Sequence, residues 1–343
     1  MPDEKRELNA LLPEELAAEL KELGEPAFRA EQVFSWLSRG ARSFDEMTNI
    51  SLSLREKLGE KYLLSAPEVL RKQVSAADGT VKYLWKLRDL SAVESVVMRY
   101  RYGNTVCISS QVGCRQGCVF CASTGLGFVR NLTAGEMLSQ VLFSGLDSGL
   151  KITGVVLMGI GEPLENYEEV RQFLRLVNHP KGLNIGMRHI SLSTCGLVPQ
   201  IDRLAEENLQ LTLSVSLHAP DDETRRRIMP IARKYDIETL VGCCSRYYQR
   251  TQRRISFEYA LIRGVNDSPA QAELLAGILR RTHGHLNLIP LNKVEGSPLI
   301  PGDARTFSES LRKLGVNVTV RRRLGADIDA ACGQLRRKEA KRQ

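Results

Sequence analysis

The chain has 343 residues, of which 43% are hydrophobic and 26% charged, with a formal net charge of +8. This length suits one large domain or a large domain with a smaller one, and the composition excludes a disordered chain and a membrane protein. The chain starts without the apolar stretch of a secretory signal, so we expect a cytoplasmic protein. In that compartment eight cysteines are better explained as ligands, catalysts or buried thiols than as structural disulfides.

Residues 1 to 67 are predicted to form a small helical module that contacts RNA. A helical spacing of leucines begins after Pro13 and ends at Gly24. Ser43 and Ser53 are each followed three residues later by Glu, a spacing that predicts the N-terminal caps of two further helices.

Residues 68 to 102 change to a period of two, which predicts a short β-meander that connects the helical module to the main domain. The expected strands are Val69–Val74, Thr80–Leu87 and Val93–Arg101. Asp78-Gly79 is a strong signal for a two-residue hairpin turn between the first two.

Residues 103 to 343 alternate between strand-like and helix-like segments, which predicts an α/β fold with a parallel sheet. The pattern does not separate an open sheet from a partial barrel. The expected strands are Thr105–Ser109, Gly154–Met158, His189–Thr194, Leu211–Ser216, Ile255–Ile262, Leu286–Pro290 and Val316–Val320. The expected helices are Thr133–Leu146, Tyr167–Val177, Pro199–Asn208, Ile237–Tyr248, Pro269–Arg281 and Arg305–Leu314.

Four cysteines lie within fifteen residues: Cys107, Cys114, Cys118 and Cys121. The last three have the spacing C-x3-C-x2-C, and soft thiolates favour zinc or an iron–sulfur cluster over magnesium or calcium. No second C-x2-C or H-x3-H pair completes a four-ligand zinc site. The spacing therefore favours a 4Fe-4S cluster with one iron left open. A zinc knuckle with a distant fourth ligand and a chance grouping of core cysteines are the alternatives.

Glycines and a carboxylate follow the second strand of this alternation, in Met158–Pro163. Gly161 lets a ligand approach the backbone, and Glu162 offers an acceptor for an ammonium group. Leu164 breaks the pattern G-x-G-x-x-G, and no G-K-[ST] is present, so a nucleotide-phosphate site is not indicated.

Hydroxyl groups end the third and fourth strands, in Ser191–Gly196 and Ser214–Pro220. Active sites of parallel α/β folds lie at these strand ends. Ser216 and His218 also permit a hydrolase, but no G-x-S-x-G motif supports one.

Several motifs together resemble the RlmN/Cfr family of radical S-adenosylmethionine RNA methyltransferases. They are Cys107, the cysteine triad with Phe120 before its last member, Gly-Glu-Pro-Leu-x-Asn, Ser-Leu-His-Ala-Pro and Asp-Ile-Asp-Ala-Ala-Cys-Gly-Gln-Leu. The resemblance runs from about Arg29 to Leu335 and implies a partial (βα)6 TIM-like barrel. It further implies a 4Fe-4S cluster on the triad and S-adenosylmethionine at the open iron. The cofactor-binding residues that it implies are Gly161, Glu162, Ser193, Ser216, Leu217, His218 and Asn292.

The family mechanism assigns three further residues, two of them cysteines at opposite ends of the main domain. One cofactor molecule methylates Cys332, and a second yields a 5′-deoxyadenosyl radical that activates this methyl group for addition to adenine. Glu94 matches the family's proton acceptor, and Cys107 then frees the product through a transient disulfide with Cys332. Read alone, Glu94 is better explained as a strand-edge glutamate, and Cys332 as a small buried hydrophobe.

The resemblance implies carbon 2 of adenosine 2503 in 23S rRNA as the methylated atom, with adenosine 37 of some tRNAs as a second target. Val112 and Pro163 favour this activity over Cfr-type methylation of carbon 8, because Cfr typically has Cys and Ala there. A non-catalytic iron–sulfur protein that binds RNA is the third interpretation. We also expect a flavodoxin-type electron donor and a monomer.

The charge is concentrated near the C-terminus, where Val320 to Gln343 carry eight Lys/Arg against three Asp/Glu. A basic segment favours a polyanionic partner, although a solvated tail explains the charge equally well. Arg321 to Arg323 are the candidates for RNA contact. No role is predicted for Cys195, and Cys243 and Cys244 are expected in the core.

Overall fold

The computed structural model describes residues 5–292, 297–328, 330, 333, 335 and 336. Its helices are α1 (Pro13–Glu22), α2 (Phe28–Ser38), α3 (Leu52–Lys61), α4 (Ala134–Ser148), α5 (Tyr167–Asn178), α6 (Val198–Glu206), α7 (Asp222–Ile228), α8 (Ile237–Thr251), α9 (Pro269–Thr282) and α10 (Ala304–Lys313). Its strands are β1 (Arg6–Glu7), β2 (Tyr62–Leu63), β3 (Glu68–Val74), β4 (Val81–Lys86), β5 (Ala92–Tyr100), β6 (Gly103–Cys107), β7 (Gln111–Gly113), β8 (Phe128–Asn131), β9 (Ile152–Leu157), β10 (Ile190–Thr194), β11 (Thr212–Ser216), β12 (Ser256–Leu261), β13 (His285–Pro290) and β14 (Val318–Val320).

A ten-stranded sheet in the order β14-β13-β12-β11-β10-β9-β6-β5-β4-β3 forms the centre of the molecule. The run from β6 through β9 to β14 is parallel. Helices connect its successive strands, as the alternating sequence pattern predicts. The α/β class and the partial TIM-like barrel are confirmed. All carboxyl ends of the parallel strands consequently meet on one rim.

The parallel strands carry near-continuous apolar runs because both of their faces are covered. Val155, Leu192, Leu213 and Phe257 are all fully or almost fully buried in neighbouring strands. Side-chain caps begin α4, α7, α8, α9 and α10, whereas α5 and α6 begin without one. At α4, Thr133 and Glu136 form a capping box.

The meander adds β3, β4 and β5 to the sheet in antiparallel order. The predicted strands are confirmed, but the two-residue turn is wrong. Ser75 donates its N–H to the carbonyl of Thr80, so four residues separate the paired positions. Asp78 instead accepts the N–H of Thr80, and Gly79 has φ +71°. The wider turn offers side chains that contact the C-terminal segment.

The N-terminal helices differ from the predicted ones in their starts. The first predicted helix is confirmed as α1. Ser43 begins only one 3-10 turn and makes no side-chain cap. The cap of α3 is Ser51, not Ser53, and its Oγ accepts the N–H of Leu54. Helix α2 was missed, because its start carries no capping side chain. The division of the chain at residues 67 and 102 stays a prediction.

A polar seam joins the N-terminal helices to the barrel. The side-chain amide of Asn9 donates to Ser139 Oγ at 3.1 Å and to the carbonyl of Ser65 at 3.2 Å. Thr133, the cap of α4, donates its hydroxyl to Glu7. Within the described part of the chain, no helix is both long and apolar enough to cross a membrane.

Candidate active site

A cavity of about 260 Å³ opens at the carboxyl ends of the parallel strands. We call it the triad cavity because Cys114, Cys118 and Cys121 all line it. Of the predicted cofactor residues, those that also line it are Gly161, Glu162, Ser193, Ser216, His218 and Asn292. Residues almost 180 positions apart in sequence therefore surround one space. Leu217 is buried, and it is not among the lining residues.

The cysteine loop is shaped by its backbone. Cys114 donates its N–H to the carbonyl of Gly127, next to the β7–β8 hairpin. Gly113 has φ +84°, and a Cβ there would lie 1.8 Å from that same carbonyl oxygen. The carbonyl of Cys118 accepts the hydroxyl of Thr124 at 3.0 Å. These contacts turn the three cysteines towards one cavity.

The triad thiols are desolvated and close enough to influence one another. Burial raises the pKa of Cys114 to about 12, and the neighbouring Cys121 contributes to the rise. Burial likewise raises the pKa of Cys118, helped by both other thiols. The thiols of Cys114 and Cys118 therefore become thiolates readily only beside a strong positive charge. Within the described residues no group of His, Cys, Asp or Glu is arranged for a single metal ion.

Glu162 is held firmly at the edge of the triad cavity. One carboxylate oxygen accepts the N–H of Leu164 at 3.0 Å, and the other accepts the N–H of Cys195 at 2.7 Å. Burial raises the pKa of Glu162, and these bonds oppose the rise. Gly161 has φ +112°, and a Cβ there would lie 2.8 Å from the backbone nitrogen of Gln111. Only glycine lets the two loops approach so closely.

His218 is a neutral imidazole in the wall of the triad cavity. Its Nδ1 accepts the N–H of Ala260 at 2.8 Å, so the neutral ring carries its proton on Nε2. Burial and the guanidinium of Arg225 lower the pKa of His218 to about 3. Its ring meets that of Phe120 edge to face at 4.5 Å. The imidazole can therefore donate one hydrogen bond and pack against the cysteine loop.

A second cavity, of about 180 Å³, lies beside the first. We call it the Cys107 cavity. Cys107 is the last residue of β6, and Glu94 projects into the same space from the neighbouring strand β5. Arg321, Arg322 and Arg323 line it from the end of β14. Burial raises the pKa of the Cys107 thiol, and the guanidinium of Arg321 opposes the rise.

Glu94 is a buried ion-pair partner, so its interpretation as a strand-edge glutamate is wrong. It is 3% exposed, and its carboxylate lies 2.8 Å from Nζ of the fully buried Lys82. The same carboxylate accepts the N–H of Gly333 at 2.7 Å and that of Arg336 at 2.6 Å. Both donors follow position 332 in the chain, and Cys332 itself lies outside the described residues.

The C-terminal segment has a second anchor on the β3–β4 turn. Asp327 accepts the hydroxyl of Ser75 at 2.6 Å and the N–H of Ala76 at 2.8 Å. Asp78 in return accepts the N–H of Gly325 at 2.8 Å. The meander therefore holds the segment that follows β14.

The two cavities share a wall. Residues that line both are Met158, Gly159, Ile289, Asn292 and Arg321. Gly159 permits this thin partition, because a Cβ there would lie 2.5 Å from the carbonyl oxygen of Ile108. A group bound in one cavity is thus separated from the other by single side chains.

Comparison with known proteins assigns the family. The model of the radical SAM superfamily matches residues 108–274, and that of the ribosomal RNA large subunit methyltransferase N-terminal domain matches residues 7–64. The chain is 50% identical over 339 residues to a protein of Alkaliphilus oremlandii described as a probable dual-specificity RNA methyltransferase RlmN, covering 98% of both. It belongs to the RlmN family.

Two further relatives agree with this assignment. A protein of Desulforamulus reducens with the same description is 51% identical over 338 residues, which is 97% of each chain. The crystal structure of a radical SAM methyltransferase from Sphaerobacter thermophilus superposes with a TM-score of 0.91 at 43% identity, over 96% of this chain and 98% of that one. The chain is therefore a radical SAM RNA methyltransferase of RlmN type, and its likeness to this family is confirmed over nearly its whole length.

Two buried residues of this RlmN-type site were missed by the sequence patterns. Arg225 is fully buried in α7 and donates to the carbonyls of Cys195 at 2.8 Å and Leu217 at 3.1 Å. It ties the ends of β10 and β11 together below the triad cavity. Glu258 lines that cavity from β12 and accepts the amide of Asn287 at 2.8 Å. The sequence around Arg225 is typical of a charged helix, and that around Glu258 is typical of an apolar strand, so neither pattern indicates a site residue.

The remaining cysteines are free thiols. Cys195 lines the triad cavity beside Glu162, a placement that its sequence position suggested without a role. Cys243 and Cys244 are fully buried on α8, as expected for core residues. No disulfide joins any of the cysteines in the described part of the chain.

Proposed function

We propose that this enzyme methylates carbon 2 of adenosine 2503 in 23S rRNA, and of adenosine 37 in some tRNAs. The observation that supports the proposal most is the pair of adjoining cavities. One is surrounded by three cysteines and a carboxylate-bearing loop, and the other contains a thiol, a buried carboxylate and three arginines. The first cavity suits a cofactor, and the second cavity suits an RNA base.

The triad cavity fits the two cofactors that the family implies. Cys114, Cys118 and Cys121 would hold a 4Fe-4S cluster, whose charge would stabilise thiolates that burial otherwise disfavours. Glu162 would accept the amino group of S-adenosylmethionine, and Ser193 would provide a hydroxyl. When bound, the cluster and two molecules of S-adenosylmethionine per turnover supply the radical and the methyl group.

In the Cys107 cavity the residues of the chain complete the reaction. Cys332 would carry the methyl group on its sulfur. Once the carbon of this group has bonded to adenine, Cys332 would hold the RNA covalently. Glu94 would accept the proton from carbon 2 of the base. The Cys107 thiolate would then attack the Cys332 sulfur: an S–S bond forms, the S–C bond breaks, and its electron pair goes to the methyl carbon, which takes a proton. The unpaired electron that radical addition leaves on the adenine would pass to a one-electron acceptor, a role that the cluster would supply.

The target adenosine must leave its stack to reach this cavity, as in other enzymes that modify a base. Arg321, Arg322 and Arg323, which line this cavity, would contact the neighbouring phosphates. A flavodoxin-type protein would deliver the electron. We further propose that the enzyme acts in the cytoplasm as a monomer.

The decisive experiment identifies the methylated atom. The full chain is reconstituted anaerobically and incubated with unmodified 23S rRNA or tRNA, S-adenosylmethionine and a reductant, and the RNA is digested to nucleosides. Mass spectrometry should find 2-methyladenosine. Finding 8-methyladenosine would replace the proposal with Cfr-type methylation, and finding neither, with no cofactor cleavage, would indicate an iron–sulfur protein that only binds RNA.

The Cys332→Ala variant is the matched control for the carrier. It should retain its iron and should cleave S-adenosylmethionine, because Cys114, Cys118 and Cys121 are unchanged, yet form no methyladenosine. Methylation by this variant would remove the carrier role.

A further inference from the structure

One face of β5 leads from the solvent to Glu94. Side chains alternate along a strand, and Glu94, Val96, Met98 and Tyr100 all line the Cys107 cavity. Tyr102 follows in the same alternation, just beyond the end of the strand, and is 83% exposed. This face therefore forms a continuous wall, apolar and aromatic above the buried carboxylate.

The two tyrosines at the outer end are stacked on each other. Their ring centroids lie 5.1 Å apart, and the ring planes differ by only 4°. Tyr100 donates its hydroxyl to the sulfur of Met98 at 3.5 Å, which fixes the inner ring against the wall of the cavity. The exposure of Tyr102 leaves most of its outer ring face open to solvent. A flat ring in this arrangement can accept a further planar group.

Positive charge surrounds the same entrance. Arg321, Arg322 and Arg323 line the cavity opposite β5, and Arg101, between the two tyrosines, is exposed. The guanidinium groups of Arg321 and Arg322 are near enough to Tyr100 to lower its pKa, against the larger rise that burial causes. An aromatic surface beside a cluster of cations matches an unpaired nucleotide, which has a planar base and an anionic phosphate.

We propose that Tyr100 and Tyr102 form a stacking platform for the unpaired base next to the target adenosine in the RNA substrate. The proposal rests on the proposed function, since it places the neighbour of the base that enters the Cys107 cavity. Proteins recognise single-stranded RNA largely by stacking its bases on aromatic side chains. The platform replaces the stacking that the neighbouring base loses when the target leaves the RNA stack, and so keeps the target at the entrance.

The experiment measures base stacking directly. The probe is an RNA stem-loop with an unpaired loop adenosine and 2-aminopurine at the adjacent position, bound to the reconstituted full chain. Stacking on a tyrosine should quench the 2-aminopurine fluorescence. Tyr102→Ala should abolish this quenching and weaken RNA binding about tenfold, the effect typical of one base stacked on an aromatic ring. Tyr102→Phe should retain both, because it keeps the ring.

Tyr248→Ala is the matched control, since Tyr248 stacks on His283 and lines neither cavity. It should bind and quench as the unchanged enzyme does. Cofactor cleavage by Tyr102→Ala should stay at the level of the unchanged enzyme, which shows that the variant is folded. Unchanged quenching and affinity in Tyr102→Ala would overturn the platform while leaving the proposed function intact. Failure of the unchanged enzyme to bind this RNA would overturn both.

Discussion

The two cavities are built in different ways, although only single side chains separate them. The triad cavity is assembled from loops that follow successive strands of one parallel barrel. The Cys107 cavity instead joins β5 of the meander and β6, the first strand of the parallel run, to the end of β14, far along the chain. The triad cavity, which we propose as the cofactor site, is thus built by the barrel alone. The Cys107 cavity, which we propose as the site for the base, depends in addition on contacts between the meander and the C-terminal segment.

The buried carboxylates of the two cavities show the same difference. Glu162 accepts two backbone N–H groups from its own barrel, those of Leu164 and Cys195. Glu94 pairs with Lys82 of the meander and accepts the N–H of Gly333 and of Arg336. Glu162 is therefore positioned by contacts within the barrel, whereas Glu94 is positioned by contacts with the meander and with the C-terminal segment. Changes in the two cavities should therefore affect separate steps.

The largest effect is expected from the triad. Cys118→Ser should lose its cluster and show only background cleavage of S-adenosylmethionine, because a serine hydroxyl does not replace a thiolate ligand of iron. Iron content and 5′-deoxyadenosine formation measure this, and Cys243→Ser, a buried cysteine outside both cavities, should retain about four irons. Binding of RNA by Cys118→Ser should remain. A loss of RNA binding would contradict the separation of the two cavities.

Glu94→Gln should lower the rate of methylation by about 10²- to 10⁴-fold, the usual contribution of a general base. Cofactor cleavage should continue, since Glu94 does not line the triad cavity. Glu68→Gln is the control, because Glu68 also pairs with a lysine of β4, Lys86, but is 71% exposed. If methylation survives Glu94→Gln at the control rate, another group takes the proton.

The release step should depend on pH. Burial raises the pKa of Cys107, so at pH 7 the residue is a thiol, and the reactive thiolate fraction grows as the pH rises. We expect release of RNA from its covalent adduct to accelerate about tenfold per pH unit below that pKa. Rapid quench and gel electrophoresis measure the adduct, and Cys107→Ala should accumulate it at every pH. A release rate independent of pH would place the rate-limiting step elsewhere.

The smallest effect is expected at the outer anchor of the C-terminal segment. Asp327→Asn weakens the bonds to Ser75 and Ala76, whose donors face both carboxylate oxygens. Methylation should fall a few-fold, and amide hydrogen exchange at Gly325 should become faster. Asp45→Asn, an exposed carboxylate on the N-terminal helical region, is the control. Unchanged exchange at Gly325 would show that Asp78 and Glu94 hold the segment without Asp327.

The sequence predicts the triad cavity better than the Cys107 cavity. The barrel strands, and the loops that end them, are local patterns, so Cys114, Cys118, Cys121 and Glu162 could be placed on one rim before the structure was known. The ion pair of Glu94 could not. Its partner Lys82 is buried in a strand whose alternating sequence predicts one exposed face. Gly333, which donates its backbone N–H to Glu94, is 239 positions away in the sequence.

Errors in the local predictions have equally specific causes. Ser43 has the spacing of a capping box, but the chain leaves the helical path after Glu46, and Ser51 rather than Ser53 caps the next helix. Asp78-Gly79 has the composition of a two-residue turn, yet Ser75 and Thr80 close a wider one. At α3 the neighbouring Ser51 caps the helix that Ser53 was expected to cap, a choice between two serines that the spacing alone does not show.

The position of Glu94 has one further consequence. An ionised carboxylate accepts hydrogen bonds through both oxygens, whereas a protonated one donates from one of them. The N–H groups of Gly333 and Arg336 use both oxygens. A proton that arrives on Glu94 therefore competes with the bonds that fix the backbone just after position 332. The proton transfer proposed for Glu94 would therefore weaken its hold on the segment after position 332 at the moment of the chemistry.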